Sequence, residues 1–164
     1  MNVLGLIVVK EDFMRNKKGF TLIELISVVA LLAIIVAIAT PNILGMINNS
    51  KKQQFIQDAS GIIGKAKYRD TLEKYKDLFE TSGACRVITL RNLGYDDYPD
   101  ADGNHYDIDA TKVKICLENS QDVFYVVTKS KNNDGIYTRG VYDSSKSGGF
   151  VKEANLDIKY VTDF

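Results

Sequence analysis

The chain is poor in the residues from which many catalytic and metal centres are built. Its 164 residues include one histidine, two cysteines, two prolines and no tryptophan. The single histidine, His105, has no His or Cys partner at the spacing that a zinc site or a catalytic pair needs. The sequence also contains no glycine-rich phosphate-binding motif and no nucleophile elbow. We therefore predict a protein that is not an enzyme and that needs no cofactor.

The charge balance argues against a second class of function. Lys and Arg together number 21, Asp and Glu number 21, and the net charge is zero. Proteins dedicated to nucleic-acid binding usually carry a basic surplus, so no nucleic-acid partner is expected. The nine tyrosines instead favour a β-rich domain with half-buried sheet faces.

One apolar segment dominates the N-terminal part of the chain. Residues 20–39 come close to the ~20 residues that a helix needs to cross the hydrocarbon of a bilayer. Lys17 and Lys18 precede this segment, and positive charge beside a span stays on the cytoplasmic side. Glu24 lies one turn into the segment, where an unpaired carboxylate is costly and is a functional candidate. The pattern predicts a single-pass membrane helix with a cytoplasmic N-terminus.

The sequence KKGFTLIEL at residues 17–25 resembles the N-terminus of type IV prepilins and type II secretion pseudopilins. The resemblance covers residues 15–41 well and the rest only as a general architecture. It implies that a membrane aspartyl peptidase cleaves after Gly19 and then N-methylates Phe20, the new first residue. Cleavage needs Gly19 because a glycine lets the peptidase approach the backbone closely.

Residues 1–19 form the leader that this resemblance implies. Residues 1–13 fit it poorly, because they include two acidic residues where a basic leader is expected. Residues 14–19 make a complete short leader by themselves. We therefore expect translation to start at Met14, and a genuine longer leader is the alternative.

Glu24 has two interpretations. In one, its carboxylate simply reaches the nearby lipid headgroups. In the other, it pairs with the positive N-terminal amine of Phe20 in a neighbouring subunit, where the low local dielectric makes the pair orient the incoming subunit. The resemblance implies the second interpretation. The hydroxyl of Thr21 is expected to cap the first turn of the helix.

The long helix is expected in two parts, a transmembrane and filament-core part at residues 20–47 and an amphipathic part at residues 48–82. Pro41 lacks an N–H and Gly45 favours extended backbone, which predicts a kinked or locally melted helix at about residues 38–45. Apolar residues recur at helical spacing in the second part: Phe55, Ala59, Ile62, Ala66, Tyr68, Leu72, Tyr75 and Phe79. Gly83 is expected to end the helix.

Residues 83–164 are expected to form a globular, β-rich head. Five candidate strands show the alternation of β-branched and aromatic residues that favours strands: Arg86–Thr89, Lys112–Leu117, Val123–Thr128, Ile136–Tyr142 and Leu156–Val161. Asn132–Gly135 is typical of a hairpin turn, and 144–149 is expected to be a loop. The predicted fold class is α+β, with a long N-terminal helix packed on an antiparallel sheet.

The two cysteines, Cys85 and Cys116, both follow the span and lie on its outward side. An oxidising exterior favours a disulfide between them. Two buried free thiols are the alternative, because a composition rich in Lys, Asn and Ile suggests a low-GC anaerobe in which disulfides are often avoided.

An acidic loop between the first two strands of the head raises the question of calcium. Asp100, Asp102 and Asn104 resemble part of an EF-hand loop, and oxygen-rich loops suit Ca²⁺. Tyr98 occupies the first ligand position, however, and the closing glutamate is missing. We expect a solvated turn without metal, with these three residues as calcium candidates.

Three functional hypotheses follow. In the first, the chain is a structural subunit of a type IV pilus; its partners are a prepilin peptidase and methyltransferase, a pilus assembly ATPase, an inner-membrane platform protein and further copies of itself. In the second, it is a minor pilin or a pseudopilin of secretion or competence. In the third, it is a membrane-anchored binding module whose motif is accidental. The first two predict a membrane precursor and an extracellular filament.

Overall fold

The computed structural model describes residues 19–72, 77, 80–82 and 84–164. One long helix, α1, comprises Leu22–Asp70. The chain divides into two compact units, Met1–Asn42 and Ile43–Phe164. Helix α1 begins in the first unit and ends in the second, where antiparallel sheets follow it. The predicted α+β class with a long N-terminal helix is therefore confirmed.

Helix α1 passes through Pro41 without interruption, so the predicted break at about residues 38–45 is absent from this single subunit. A proline removes one intrahelical donor and costs about 3 kcal/mol, a penalty that a long helix can absorb. A Cβ built at Gly45 would meet no atom within 4 Å, so packing does not require this glycine.

The helix ends at Asp70 and does not continue to residue 82 as predicted. Its last turn tightens where Leu72 N–H donates to the carbonyl of Arg69 at 3.1 Å. Glu80–Ser82 is a strand that pairs with the next one along the chain. Of the predicted helical residues, Tyr75 and Phe79 lie outside the described residues, as does the predicted terminator, Gly83.

Within the described residues, nine strands follow α1, and all the pairings among them are antiparallel. In chain order they are β1 Glu80–Ser82, β2 Cys85–Thr89, β3 His105–Tyr106, β4 Lys112–Glu118, β5 Gln121–Val127, β6 Ser130–Lys131, β7 Arg139–Val141, β8 Val151–Lys152 and β9 Val161–Asp163. The main sheet has the order β1-β2-β4-β5-β8, and two small sheets pair β3 with β6 and β7 with β9.

The strands predicted from alternation agree best in the middle of the main sheet, where β2, β4 and β5 match within two residues at each end. The predicted hairpin turn is confirmed, because Asn132 N–H donates to the carbonyl of Ile136 at 3.0 Å and Gly135 has a φ of 79°. The predicted strand Ile136–Tyr142 shortens to β7.

The predicted strand Leu156–Val161 is wrong. A 3₁₀ turn, Ile158–Tyr160, occupies half of it, and β9 begins only at Val161. The Asp157 side chain caps this turn by accepting from Lys159 N–H at 2.9 Å. This local hydrogen bond competes with strand pairing. The expected loop at 144–149 also ends in a 3₁₀ turn, Ser147–Gly149.

The core lies between one face of α1 and one face of the main sheet. The helix contributes Phe55, Ala59, Ile62 and Ala66, as the helical spacing predicts, and each is at most 1% exposed. Tyr68, which the same spacing placed in this stripe, is instead 65% exposed, so the buried stripe ends at Ala66. Alternate residues of the central strands complete the core: Ile88, Val113, Ile115 and Val126. The opposite face of the main sheet carries Lys114 and Cys116 of β4, because side chains alternate along a strand.

Candidate functional site

The N-terminus of α1 is closed by a reciprocal pair of hydrogen bonds. Thr21 precedes the first helical residue, and its hydroxyl accepts from the N–H of Glu24 at 3.3 Å. The Oε2 atom of Glu24 accepts from the N–H and the hydroxyl of Thr21, both at 2.8 Å. This arrangement is a capping box, which satisfies helix N–H groups that otherwise lack partners.

The capping box gives Glu24 a partner inside its own chain. The cap by Thr21 was predicted from the sequence. The reciprocal hydrogen bond to the Glu24 carboxylate was not predicted, although Thr-x-x-Glu is the sequence signature of a capping box. Both bonds end on Oε2, and among the described residues no donor is recorded for the other carboxylate oxygen, Oε1. Glu24 can therefore cap its helix through Oε2 and accept a further donor at Oε1.

The predicted cleavage point lies in exposed, non-helical chain. Phe20 exposes 89% of its surface. A Cβ built at Gly19 would meet no atom within 4 Å. Neither packing nor a positive φ requires a glycine here, so an external constraint such as a peptidase would explain it.

Beyond the capping box, α1 presents an apolar surface that none of the described residues of its unit covers. The most apolar 18-residue stretch of this helix has a mean hydropathy of 3.0, and none of that stretch is buried. By length and composition, the helix could cross a membrane. The hydroxyls of Ser27 and Thr40 donate to the carbonyls of Ile23 and Val36, at 2.7 and 2.6 Å. These bonds satisfy the two hydroxyls without water, as a hydrocarbon environment requires.

The two cysteines meet in the main sheet. Cys85 of β2 lies directly opposite Cys116 of β4, their Cα atoms are 4.1 Å apart, and a disulfide joins them. Of the two alternatives left open by the sequence, the structure has the disulfide.

The calcium candidates lie in a loop whose charges already have protein partners. Asp102 contacts Lys51 at 3.0 Å and Arg139 at 2.8 Å. Asp100 Oδ1 accepts from the N–H groups of Asp102 and Asn104. Among the described residues, no group of three His, Cys, Asp or Glu side chains could hold a metal ion. The loop is therefore organised by two cations and by its own backbone.

The remaining ionisable candidate is His105. It lies in β3 and contacts Asp97 at 2.5 Å on the surface. The two side chains form an exposed polar pair. Within the described part of the chain, they belong to no larger group of metal-ligating side chains.

A buried carboxylate that sequence analysis did not single out fixes α1 against the head. Asp58 is 8% exposed and accepts from Tyr106 at 3.0 Å, from Tyr98 at 3.3 Å and from Gln54 at 2.9 Å. Burial first, and then the Asp58 charge, raise the pKa of Tyr98 to about 12, and the same causes raise the pKa of Tyr106. The cluster is structural, because it is enclosed by α1 and the loop before β3.

Residues 14–40 match the family model described as the prokaryotic N-terminal methylation motif. A search of curated proteins and a search of solved structures find no match for the chain. The motif covers residues 14–19 of the predicted leader, Phe20, the capping box and most of the apolar surface. It was anticipated by the resemblance of residues 17–25.

The long helix, the antiparallel sheets and the methylation motif together define a pilin-like protein. More particularly, the motif is the class III signal that is typical of type IV pilins and pseudopilins, and it implies processing by a prepilin peptidase and assembly by pilus-type machinery. Pilins that carry this motif are structural, non-enzymatic proteins.

Proposed function

We propose that the chain is a structural subunit of a type IV pilus that is cleaved after Gly19, N-methylated at Phe20 and polymerised through α1. Its leader would be residues 1–19, or 14–19 if translation starts at Met14. The subunit would wait in the membrane with its N-terminus in the cytoplasm and would then enter an extracellular filament that serves adhesion, motility or biofilm formation. A pilus assembly ATPase and a platform protein would drive this transfer.

One observation supports the proposal most directly: an apolar helix surface, capped at its start, that is left exposed by the part of the chain that the structure describes. Exposed apolar residues continue from Leu22 to Ile47. Transfer from lipid into a bundle of identical helices keeps this surface away from water, so extraction from the membrane need not expose it. The same transfer would favour opening of α1 near Pro41, which already lacks one hydrogen bond.

The capping box gives Glu24 two separable tasks in this proposal. Oε2 holds the first turn of its own helix, and Oε1 would accept from the amine of Phe20 in the neighbouring subunit. Processing does not disturb the first task, because Thr21 keeps its N–H after cleavage at Gly19. A pair buried in a filament orients the incoming subunit because the unpaired alternative is costly.

The experiment separates capping from charge pairing in whole cells. Glu24→Gln keeps an acceptor for Thr21 but removes the charge, and Thr21→Val removes the hydroxyl but keeps the charge. We expect Glu24→Gln to reduce incorporation into sheared filaments at least tenfold and Thr21→Val to reduce it much less. N-terminal sequencing of each subunit checks cleavage before Phe20. Normal incorporation of Glu24→Gln would contradict the pairing, and intact subunits that retain Gly19 beside an active peptidase would contradict the whole proposal.

The alternatives differ in measurable ways. A minor pilin or a pseudopilin would be processed in the same manner but would be scarce in sheared filaments. A membrane-anchored binding module would keep its leader. Quantitative immunoblotting of filament and membrane fractions distinguishes all three.

A further inference from the structure

A half-enclosed cleft of about 710 Å³ lies on the face of the main sheet that is turned away from α1. Lys114 of β4 and Tyr125 of β5 form its floor, together with the disulfide-bonded Cys116. Segment 143–155 forms the opposite wall. Neither the apolar helix nor the capping box contributes to it, so filament assembly as proposed above leaves the cleft without a task.

The wall of this cleft has a fixed shape. The Asp143 carboxylate accepts from the N–H and the hydroxyl of Ser145, at 3.0 and 2.6 Å, and Asp143 N–H donates to the carbonyl of Gly149 at 2.9 Å. Gly149 has a φ of 71°, and a Cβ there would lie 1.9 Å from the ring of Tyr142. A wall tied in this way is preorganised, which lowers the entropy lost when a ligand binds.

The cleft carries more positive than negative charge, so some positive charge is available to a ligand. Lys114 Nζ lies 4.9 Å from the centre of the Tyr125 ring and 4.7 Å from that of Phe150. Glu118 is already engaged, because it accepts from the hydroxyl of Tyr125 and contacts Lys152 at 3.2 Å. The other acid that lines the cleft, Asp143, accepts from Ser145 and keeps its negative charge near Lys146. Three lysines therefore face two carboxylates, which leaves a formal net charge of +1.

The lining therefore combines three kinds of group. Ammonium groups come from Lys114, Lys146 and Lys152, aromatic rings come from Tyr125, Phe150 and Tyr160, and neutral hydrogen-bonding groups include Ser147 and Asn155. Aromatic rings beside many polar and charged groups, in a cavity of this size, suit a polar small molecule.

We propose that this cleft binds an acidic saccharide, a chain of sugar units that carry carboxylate or sulfate groups. The acidic groups would contact Lys114 and Lys146, the apolar faces of the sugar rings would pack on the aromatic side chains, and the sugar hydroxyls would bond to Ser147 and Asn155. Binding should weaken as salt rises, because Lys146 is exposed to solvent and Lys152 is partly exposed. An acidic peptide shares the charge but lacks the hydroxyls and the rings.

The test uses the full-length protein in detergent and isothermal titration calorimetry. The probes are a chondroitin sulfate tetrasaccharide, neutral maltotetraose and hexaglutamate. We expect the sulfated tetrasaccharide to bind with a Kd of roughly 0.1–1 mM at low salt, and the two other probes to bind at least tenfold more weakly. Lys114→Gln and Lys146→Gln should each weaken binding at least tenfold.

Lys52→Gln is the matched control, because it removes the same charge from α1 at a residue outside the cleft. It should leave binding unchanged, and thermal unfolding should show that all variants fold. Absence of binding, equal loss in Lys52→Gln, or loss in Lys114→Gln alone together with a lowered Tm would overturn the proposal. Equally tight binding of hexaglutamate would assign the cleft to acidic peptides instead. Filament assembly plays no part in this test, so its failure leaves the proposed pilus function standing.

Discussion

Leu31 and Ile35 in the N-terminal unit expose 63% and 61% of their surface, whereas Phe55 and Ile63 in the C-terminal unit are fully buried. All four residues belong to the same helix and are large and apolar. They differ in their surroundings along the chain. Around Leu31 the helix is apolar on every side, but around Phe55 the apolar residues form one stripe that a sheet covers.

The difference in burial shows that the two units are stabilised in different ways. The C-terminal unit buries its own apolar stripe and can be stable by itself. The N-terminal unit gains stability only from something outside the chain, such as lipid or other copies of the helix, because burial of apolar area is the dominant favourable term. Substitutions in the two units should therefore appear in different measurements.

The largest contrast is expected between Phe55→Ala and Leu31→Ala in the full-length protein in detergent. Phe55→Ala leaves a cavity between α1 and the sheet and should lower the free energy of unfolding of the head by about 3–5 kcal/mol. Leu31→Ala should leave that free energy unchanged, because its side chain is 63% exposed and does not belong to the buried core. Denaturant unfolding followed by tyrosine fluorescence measures both, and an equal loss in the two variants would break the comparison.

The disulfide should have the next largest effect, and it should also be confined to the head. Cys85 and Cys116 are 31 residues apart, and a loop of this size gives about 3–4 kcal/mol in the chain-entropy model. We expect a Cys85→Ser, Cys116→Ser double variant to lose this amount in guanidinium unfolding. Helix content of the N-terminal unit, followed by circular dichroism, should not change. A loss below about 1 kcal/mol would mean that the denatured head is already compact.

A structural feature could be predicted from the sequence when the residues that determine it lie close together in the chain. The apolar span, the stripe around Phe55 and the central strands follow from local periodicity and were correct. The end of α1 was not, because β1 is stabilised by pairing with β2, which a helical pattern extended to residue 82 does not reveal. In the candidate site, the Thr21 cap was predicted and the reciprocal bond from Glu24 was local but overlooked.

Features that depend on the folded head were beyond the sequence. In the sequence, Asp58 is one of several polar residues of the amphipathic part of the helix, and nothing distinguishes it from the others. Its tyrosine partners, Tyr98 and Tyr106, are distant in the chain and meet it only in the folded head. The cleft around Lys114 is equally non-local, because its wall comes from segment 143–155. The strand predicted at Leu156–Val161 failed for the opposite reason, since the cap by Asp157 is local and overrode the alternation.

Alkaline pH should weaken the head through the Asp58 cluster. The pKa of Tyr98 rises to about 12 in the folded state, against about 10 in an unfolded chain. The stabilisation is complete below pH 10 and is lost as pH rises towards 12, because the unfolded chain loses its proton first. Tyr98→Phe should therefore flatten the fall of the urea midpoint between about pH 10 and pH 12. An unchanged slope would contradict this role, and the N-terminal unit should show no such pH dependence.

The smallest effect is expected where α1 enters the head. Lys51 is 40% exposed and contacts Asp102, which keeps Arg139 as a second partner. Lys51→Ala should cost less than about 1 kcal/mol, because exposed ion pairs contribute little. Arg139→Ala should cost more, since it removes a largely buried guanidinium from both Asp102 and Asp163. Thermal unfolding at low and high salt measures both variants. If Lys51→Ala cost as much as Arg139→Ala, the stability of α1 at the start of the head would depend on ion pairs as well as on the apolar stripe. The contrast between the two units would then be smaller than the burial of their residues suggests.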